Sequence, residues 1–396
     1  HAEFPPTEQD YRLRAGGRHA PDPVAAAGAE VIHARRSPAL TRFDGNLSGV
    51  SDVLGVTVPA PTDSTVSPTR LEAWAACPHA YFVRHLLGVE PVEDPERQLT
   101  ITALDRGSLV HDVLERFVAS VVARPDADQP QPDQPWTAED HAAIAAMAQD
   151  VCDDYEARGL TGRPVFWRRD RAQVLSLVDR FLREDTRHRR RTRTRPLAAE
   201  LGFGREDDGL DAVEMPLDDG RRLRFRGKID RVDVADDGTL HVTDYKTGGA
   251  RTYAGLGPDD PDQRGTSLQL AVYAQAARAL GAAPDALVRA DYWFVTDREG
   301  FARKGYLVDD QVLGRLSTTL STIARGIEQG VFPARPDDTG MARVTCRYCD
   351  PDGLGVTDLR RDWERKRDDP LVAAYAQLAE PRPGTGDASD GNGAAR

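Results

Sequence analysis

The chain has 396 residues, of which 40% are hydrophobic, and a formal net charge of −12 at pH 7. This amount of apolar material is enough for one large domain with appendages or for two smaller ones, and the acidic balance argues against a generic nucleic-acid coat. Four cysteines without disulfide spacing, with no secretory signal or transmembrane run in the sequence, indicate a cytoplasmic protein that does not use a membrane partner.

The two ends of the chain differ in composition from its middle. Residues 1–64 are rich in Ala, Pro, Gly and Asp with little periodicity, which predicts an irregular linker or the remnant of an upstream domain. Because the first residue is His1 rather than Met, we expect a fragment of a longer polypeptide. The main domain is expected at 65–366 with a helical insertion at about 124–195, and 367–396 is expected to form a C-terminal helix and a disordered tail.

Helix and strand patterns follow one another through the main domain, as is typical of a chain that mixes both element types. In chain order the sequence predicts a helix from a capping pattern at Ser67 towards Gly88, a proline-rich loop at 124–137, helices over 138–192, strands over 198–246, a helix over 266–281, a strand over 287–296 and a helix over 309–330. No internal repeat is visible.

The segment 224–247 is predicted to be a β-hairpin. Apolar residues alternate with polar ones on both sides of the three-residue connection 236–238, and its glycine, Gly238, can take the left-handed conformation that such a loop needs. The alternating apolar positions are Val232, Val234, Leu240 and Val242.

Four charged residues of this hairpin are predicted to share one face. With Asp237 as the pivot, Asp230 faces Asp244 and Lys228 faces Lys246, and the period of two directs all four side chains the same way. Two directly opposed carboxylates repel each other unless a cation lies between them. The alternative of an ordinary solvated sheet face is disfavoured, because the rest of this face is apolar. The pattern therefore predicts a divalent metal site.

An acid on one strand followed by Asp244-Tyr245-Lys246 on the next resembles the core of the PD-(D/E)xK nucleases. The resemblance implies an α/β fold with a restriction-endonuclease-like core, in which helices flank a mixed central β-sheet, and with extra helical segments in this chain. Asp230 supplies the first acid of the pattern.

Two further motifs resemble the RecB-type branch of that family. Gly107 and His111 match its glycine-x-x-x-histidine helix, and Gln269 and Tyr273 match its glutamine-x-x-x-tyrosine motif, with both side chains on one helical face. A core aromatic is the alternative interpretation of Tyr273, because the helix around it is largely apolar. The three motifs occur in the family's order between residues 106 and 273, which makes the combination specific.

The resemblance implies roles for these residues in phosphodiester hydrolysis. Asp230, Asp244 and His111 would hold Mg²⁺, and the imidazole hints that Mn²⁺ is tolerated. Lys246 would orient the attacking water or stabilise developing negative charge, and we do not assign it as a base. Gln269 and Tyr273 would hold the site and the DNA backbone. Glu200 matches an acid that some members add at the metal, and a solvated strand-edge glutamate is the alternative.

The cysteines flank the nuclease motifs in a pattern that resembles the iron-sulfur staple of AddB-type nucleases. Cys77 lies upstream and Cys346 and Cys349 lie downstream, but Gly355 stands about where the last ligand of a [4Fe-4S] cluster is expected. We therefore expect an incomplete cluster signature, with a vestigial set of cysteines or a zinc site that includes His79 as the alternatives. Cys152 falls in a predicted helix and is expected to be buried.

An arginine-rich stretch is predicted to bind DNA. Arg189, Arg190, Arg191 and Arg193 could follow a phosphate backbone, and a solvated helical face is the alternative because acids are mixed into the preceding turns.

The sequence as a whole indicates a Mg²⁺-dependent deoxyribonuclease, more readily an exonuclease than an endonuclease, that acts on single-stranded DNA or DNA ends in double-strand break repair and recombination. No G-x-x-x-x-G-K-[ST] loop is present, so a helicase domain or subunit is expected upstream or in trans. A freestanding single-strand exonuclease of the same fold and a catalytically silent DNA-binding scaffold are the two alternatives.

Overall fold

The computed structural model describes residues 23–49, 58–90, 98–281, 286–336 and 359–380. These residues form ten α-helices and eight β-strands, and they separate into two compact units. The first unit takes its described residues from 1–60, 73–90 and 322–396, and the second from 61–72 and 91–321. Among the described helices, none is both long and apolar enough to cross a membrane.

The second unit is built on a mixed five-stranded sheet with a small three-stranded sheet beside it. The large sheet has the order β2-β5-β6-β7-β8, in which only the β6–β7 pair is parallel, and the small one has the order β1-β4-β3. The strands are β1 Thr65–Val66, β2 Thr194–Phe203, β3 Val213–Pro216, β4 Arg222–Phe225, β5 Gly227–Ala235, β6 Leu240–Lys246, β7 Val288–Phe294 and β8 Arg303–Leu307.

The helices follow the predicted order through the main domain and then through the C-terminal segment. They are α1 Pro23–Arg36, α2 Pro68–Ala76, α3 Pro78–Tyr81, α4 Ala103–Val122, α5 Ala138–Ala157, α6 Pro164–Thr192, α7 Gln269–Ala277, α8 Asp310–Glu328, α9 Leu359–Lys366 and α10 Pro370–Ala379. Helix α1 lies in the stretch expected to be irregular, so that part of the prediction is wrong. Its sequence, PVAAAGAEVIHARR, is rich in alanine, which has the highest helix propensity.

The β5–β6 hairpin has the predicted register. Its paired positions run from Val234–Leu240 to Arg231–Thr243, which is the pairing about Asp237 that the sequence predicts. Gly238 has a φ of 85°, in the left-handed region where a glycine carries no steric cost. The ladder ends one residue before Asp230 and Asp244, so the two carboxylates lie at the end of the paired region, where β5 and β6 no longer bond to each other.

The two faces of the hairpin pack against different layers. On one side, Tyr245 and Trp293 join a core made with the apolar residues of α4, α5 and α6. On the other side, Val232, Leu240 and Val242 are fully buried or nearly so, as predicted for an apolar face that ends in charged groups. This arrangement places the charged end of the hairpin at the margin of a rigid core.

The helical side of the sheet also contains a buried network of charges that the sequence does not predict. Asp185 of α6 accepts hydrogen bonds from Nε of Arg189 at 2.9 Å and from Nη1 of Arg231 at 2.7 Å, and Arg231 donates to Asp233 at 2.8 Å. All four side chains are fully inaccessible to solvent. Buried charges of this kind are tolerated because each is paired and hydrogen-bonded.

Candidate active site

The backbone of β6 orients the first acid of the site. Oδ2 of Asp230 accepts a hydrogen bond from the main-chain N–H of Tyr245 at 2.6 Å, just beyond the end of the hairpin ladder. This bond pins the Asp230 carboxylate next to the main chain that joins Asp244 to Lys246. The two acids and the lysine therefore meet at one end of the sheet, as the sequence predicts.

Helix α4 brings His111 to the same place. The helix is capped by Thr102, and at Gly107 a side chain would bring its Cβ within 3.1 Å of Oγ1 of Thr247, so glycine allows the helix to approach the end of β6 closely. Nε2 of His111 lies 3.0 Å from the carbonyl oxygen of Tyr245, and Nδ1 lies 3.4 Å from Oδ2 of Asp230. Because a carbonyl oxygen only accepts, Nε2 carries a proton in this interaction.

The environment of His111 favours its charged form. Burial lowers the pKa of the imidazole, but the carboxylates of Asp230 and Asp244 outweigh that effect and raise the pKa above its ordinary value. The ring thus senses an excess of negative charge around it, which is the condition that also attracts a metal cation.

Glu200 approaches the site from β2. Its neighbours pair with the neighbours of Asp230, so the two residues lie opposite each other. The φ of Glu200 is 49°, a strained left-handed value for a residue other than glycine, and such strain clusters at functional sites. Its carboxylate forms an ion pair with Lys228, and burial raises its pKa. The alternative of a solvated strand-edge glutamate does not fit a side chain with an exposure of 14%.

Asp244 and Lys246 form a buried ion pair. Nζ of Lys246 lies 2.6 Å from Oδ2 of Asp244, but this oxygen is buried and accepts no well-directed hydrogen bond. Burial raises the pKa of Asp244, Lys246 opposes that rise, and Asp230 adds to it. For Lys246, burial lowers the pKa, and the attraction of Asp244 outweighs it and raises the pKa. Lys246 is therefore protonated at neutral pH and is unsuited to act as a base.

Gln269 and Tyr273 lie on α7, the helix that packs on β6 and β7. Oε1 of Gln269 accepts a hydrogen bond from Nζ of Lys246 at 3.0 Å, and its Nε2 donates to the hydroxyl of Tyr273 at 3.2 Å. Tyr273 is buried, and its ring packs edge to face on Phe203. Tyr273 is thus a core aromatic and also a hydrogen-bond partner of Gln269, so both interpretations of this residue describe part of its environment.

The residues at the end of the hairpin fit a divalent metal. Ligand atoms of His111, Glu200 and Asp230 lie within 4.8 Å of one another. Carboxylate oxygens suit Mg²⁺ and Mn²⁺, and an imidazole in the set favours Mn²⁺ as a substitute. Asp244 lies outside that group because Lys246 engages it, yet its unsatisfied oxygen offers a further ligand atom.

One residue near the site is missing from the sequence-based expectations. Glu72 of α2 is partly buried, and its Oε1 accepts hydrogen bonds from the main-chain N–H groups of Leu268 at 2.7 Å and Gln269 at 3.2 Å. Burial raises the pKa of its carboxyl to about 7, against the opposing effect of the two N–H groups and of Lys246. A glutamate 196 positions away from its partner leaves no local signal in a single sequence.

The arginine stretch needs one correction. Arg189 has no exposed surface: it bonds to Asp185, donates to the carbonyl oxygens of Gln131 and Gln134 at 2.9 Å each, and lies over the ring of Trp136. Its assignment as a DNA-binding residue is therefore wrong, because its donors are used inside the fold. The other three members of the stretch, Arg190, Arg191 and Arg193, are exposed.

The cysteines divide between described and undescribed parts of the chain. Cys152 is fully buried in α5, as predicted, and Cys77 is partly buried at the start of α3. Cys346 and Cys349 lie outside the described residues, so the cluster and zinc hypotheses stay predictions.

Comparison with known proteins agrees with this geometry. Residues 65–352 match the family model described as the PD-(D/E)XK nuclease superfamily. This match covers most of the chain and includes the hairpin, α4 and α7. The chain therefore belongs to the PD-(D/E)XK nuclease superfamily, and the mixed sheet flanked by helices confirms the predicted fold class.

Three relatives share one name, ATP-dependent helicase/deoxyribonuclease subunit. The chain is 33% identical over 196 residues to that of Acetivibrio thermocellus, 34% over 233 residues to that of Lacticaseibacillus paracasei, and 30% over 242 residues to that of Moorella thermoacetica. These matches cover 48%, 56% and 57% of this chain but only 16%, 18% and 18% of the relatives. The similarity is thus confined to a small part of each relative.

Proposed function

We propose that this chain is a metal-dependent deoxyribonuclease, and that it serves as the nuclease module of a helicase-nuclease in double-strand break repair and recombination. The single observation that carries the proposal is the convergence of His111, Glu200 and Asp230 next to the Asp244–Lys246 pair. Membership of the nuclease superfamily and the names of the relatives support it. We place the chain in the cytoplasm, where its DNA substrate lies.

The metal ligands are proposed to be His111, Asp230 and Asp244, with Glu200 as an additional acid. A divalent cation, when bound, neutralises charge on the scissile phosphate and lowers the pKa of the attacking water. Mg²⁺ is the proposed ion, and Mn²⁺ is expected to replace it because an imidazole belongs to the set.

The other residues of the site hold charge and position. Lys246 stays protonated, so it stabilises the negative charge that develops on the phosphate, and it does not take the proton from water. Gln269 fixes the direction of the Lys246 ammonium through its side-chain oxygen, and Tyr273 fixes Gln269 in turn. The Tyr292 ring, 4.7 Å from the ammonium, closes the remaining side.

The substrate is proposed to be single-stranded DNA or a DNA end, which the chain degrades as an exonuclease. A helicase domain or subunit would supply the single strand, since the relatives are named as helicase/deoxyribonuclease subunits. A freestanding single-strand exonuclease would use the same residues, and the reading frame on the N-terminal side of His1 separates the two proposals.

The test uses the purified chain with single- and double-stranded DNA labelled at the 5′ or the 3′ end. After chelation with EDTA, addition of Mg²⁺ or Mn²⁺ is expected to restore cleavage, and release of labelled mononucleotides would identify an exonuclease. Folded protein that binds DNA but cleaves neither substrate with either ion would instead support the silent scaffold.

A further inference from the structure

A carboxylate remote in sequence holds the N-terminus of α7. The first main-chain N–H groups of a helix have no partner inside the helix and need acceptors from elsewhere. At α7 the capping position is Leu268, whose side chain cannot accept a hydrogen bond. Glu72 of α2 takes this role with a single oxygen, which accepts from Leu268 at 2.7 Å and from Gln269 at 3.2 Å.

The polar residue that precedes this cap is engaged elsewhere. The hydroxyl of Ser267 donates to Oε1 of Gln263 at 2.9 Å. A polar side chain next in sequence is the common solution at a helix start, and a negative charge at this end also interacts favourably with the helix dipole. Here the charge comes from a different helix, which ties α2 to the start of α7.

The capped residue is also the one that touches Lys246. Gln269 is the first residue of α7; its main-chain N–H is held by Glu72, and its side-chain oxygen accepts from Nζ of Lys246 at 3.0 Å. The start of a helix is its least constrained part. A shift of this first turn would therefore move the Gln269 amide, and with it the ammonium that faces Asp244.

We propose that Glu72 is a positioning residue for the nuclease reaction, which fixes the first turn of α7 so that Gln269 holds Lys246 beside Asp244. The inference rests on the proposed function. Glu72 acts through Gln269 rather than on the reacting groups themselves. A role limited to stability is the competing explanation, and a matched loss of another cap in the same unit separates the two.

The experiment compares Glu72→Ala and Glu72→Gln with Thr137→Ala. Thr137 caps α5 through a capping box on a helix that carries none of the proposed site residues, so its loss reproduces the loss of a cap alone. Circular dichroism and thermal unfolding show that each variant is folded. Steady-state cleavage of labelled single-stranded DNA gives kcat and KM, and calorimetry gives Mn²⁺ affinity.

The expected result is a fall in kcat of about 10- to 100-fold for Glu72→Ala, the size that a misplaced catalytic group produces, with KM and Mn²⁺ affinity unchanged. Glu72→Gln keeps an oxygen that can accept, so most of kcat should remain, and Thr137→Ala should cleave like the wild type. An unchanged kcat for Glu72→Ala, or a fall shared equally by Thr137→Ala, would overturn the inference.

Hydrogen exchange by mass spectrometry tests the cap without reference to activity. Faster exchange in the peptide that spans 266–277 is expected for Glu72→Ala, with unchanged exchange in the α5 peptide, and the reverse pattern is expected for Thr137→Ala. Unchanged exchange at 266–277 would overturn the inference even if cleavage falls. A wild-type chain that cleaves no DNA would refute the proposed function, and a changed exchange pattern would still establish the cap.

Discussion

Nζ of Lys246 donates a hydrogen bond to Oε1 of Gln269 at 3.0 Å, which links the end of β6 to the first residue of α7. The two residues are 23 positions apart and belong to different motifs of the sequence. This bond turns two separate motifs into one unit, in which the ammonium has a fixed direction before any substrate arrives.

The Lys246–Gln269 bond predicts an asymmetric effect of two substitutions. Gln269→Leu removes the acceptor of the ammonium, so kcat is expected to fall by about 10- to 100-fold. Tyr273→Phe removes only the hydroxyl that Gln269 Nε2 donates to, and a smaller fall is expected because the bond to the lysine remains. Steady-state cleavage of labelled DNA measures both, and equal rates for Gln269→Leu and the wild type would contradict the assigned role.

The buried charge network predicts a difference in stability between two adjacent arginines. Arg189→Met removes one partner of a fully buried ion pair and leaves Asp185 and two carbonyl oxygens with fewer donors, so a loss of about 3 kcal/mol in the free energy of unfolding is expected. Arg190→Met alters an exposed side chain and is the matched control. Urea unfolding followed by fluorescence measures both, and equal midpoints would show that the network contributes nothing.

The exposed part of the arginine stretch predicts the salt dependence of DNA binding. Neutralising Arg190, Arg191 and Arg193 together is expected to weaken binding for all sequences and to flatten its salt dependence by about one unit of slope for each phosphate interaction that is removed. Turnover at saturating DNA should stay unchanged, because these residues lie outside the site. Fluorescence anisotropy at several salt concentrations is the measurement, and a wild-type slope would assign the stretch to a solvated face.

The buried thiol of Cys152 predicts slow modification of the folded protein. Burial raises the pKa of this thiol to about 11, so very little of the reactive thiolate is present near neutral pH. Iodoacetamide followed by peptide mass spectrometry is expected to label Cys152 only after denaturant is added. Rapid labelling of Cys152 in the native protein would show that α5 opens far more readily than its packing implies.

The hairpin and its charged end could be predicted because their signals are local. Alternation of apolar residues sets the register, and Gly238 marks the turn, so the position of Asp230 near Asp244 follows from the strand period alone. The left-handed backbone at Glu200 has no such signal, since no glycine or asparagine stands there. The order of helices followed from the same kind of periodicity.

Long-range pairing is what the sequence could not supply. Arg189 belongs to a run of arginines that resembles a solvated or phosphate-binding face, and only the packing of α6 on the sheet shows that Arg189 faces Asp185 and the interior. Glu72 likewise has an ordinary place in the sequence of α2, and its partners lie at the start of α7. Both side chains are defined by tertiary interactions that depend on the complete fold.

The most direct test of the central claim is metal-dependent cleavage of end-labelled single-stranded DNA by Asp244→Asn and Lys246→Met. Asp237→Asn, at the exposed tip of the same hairpin, is the matched control. With Mg²⁺ or Mn²⁺ we expect both site variants to lose at least about 10²- to 10³-fold in kcat while circular dichroism stays native, and the control to cleave like the wild type. Wild-type cleavage by either site variant would contradict the claim that this end of the hairpin is the active site.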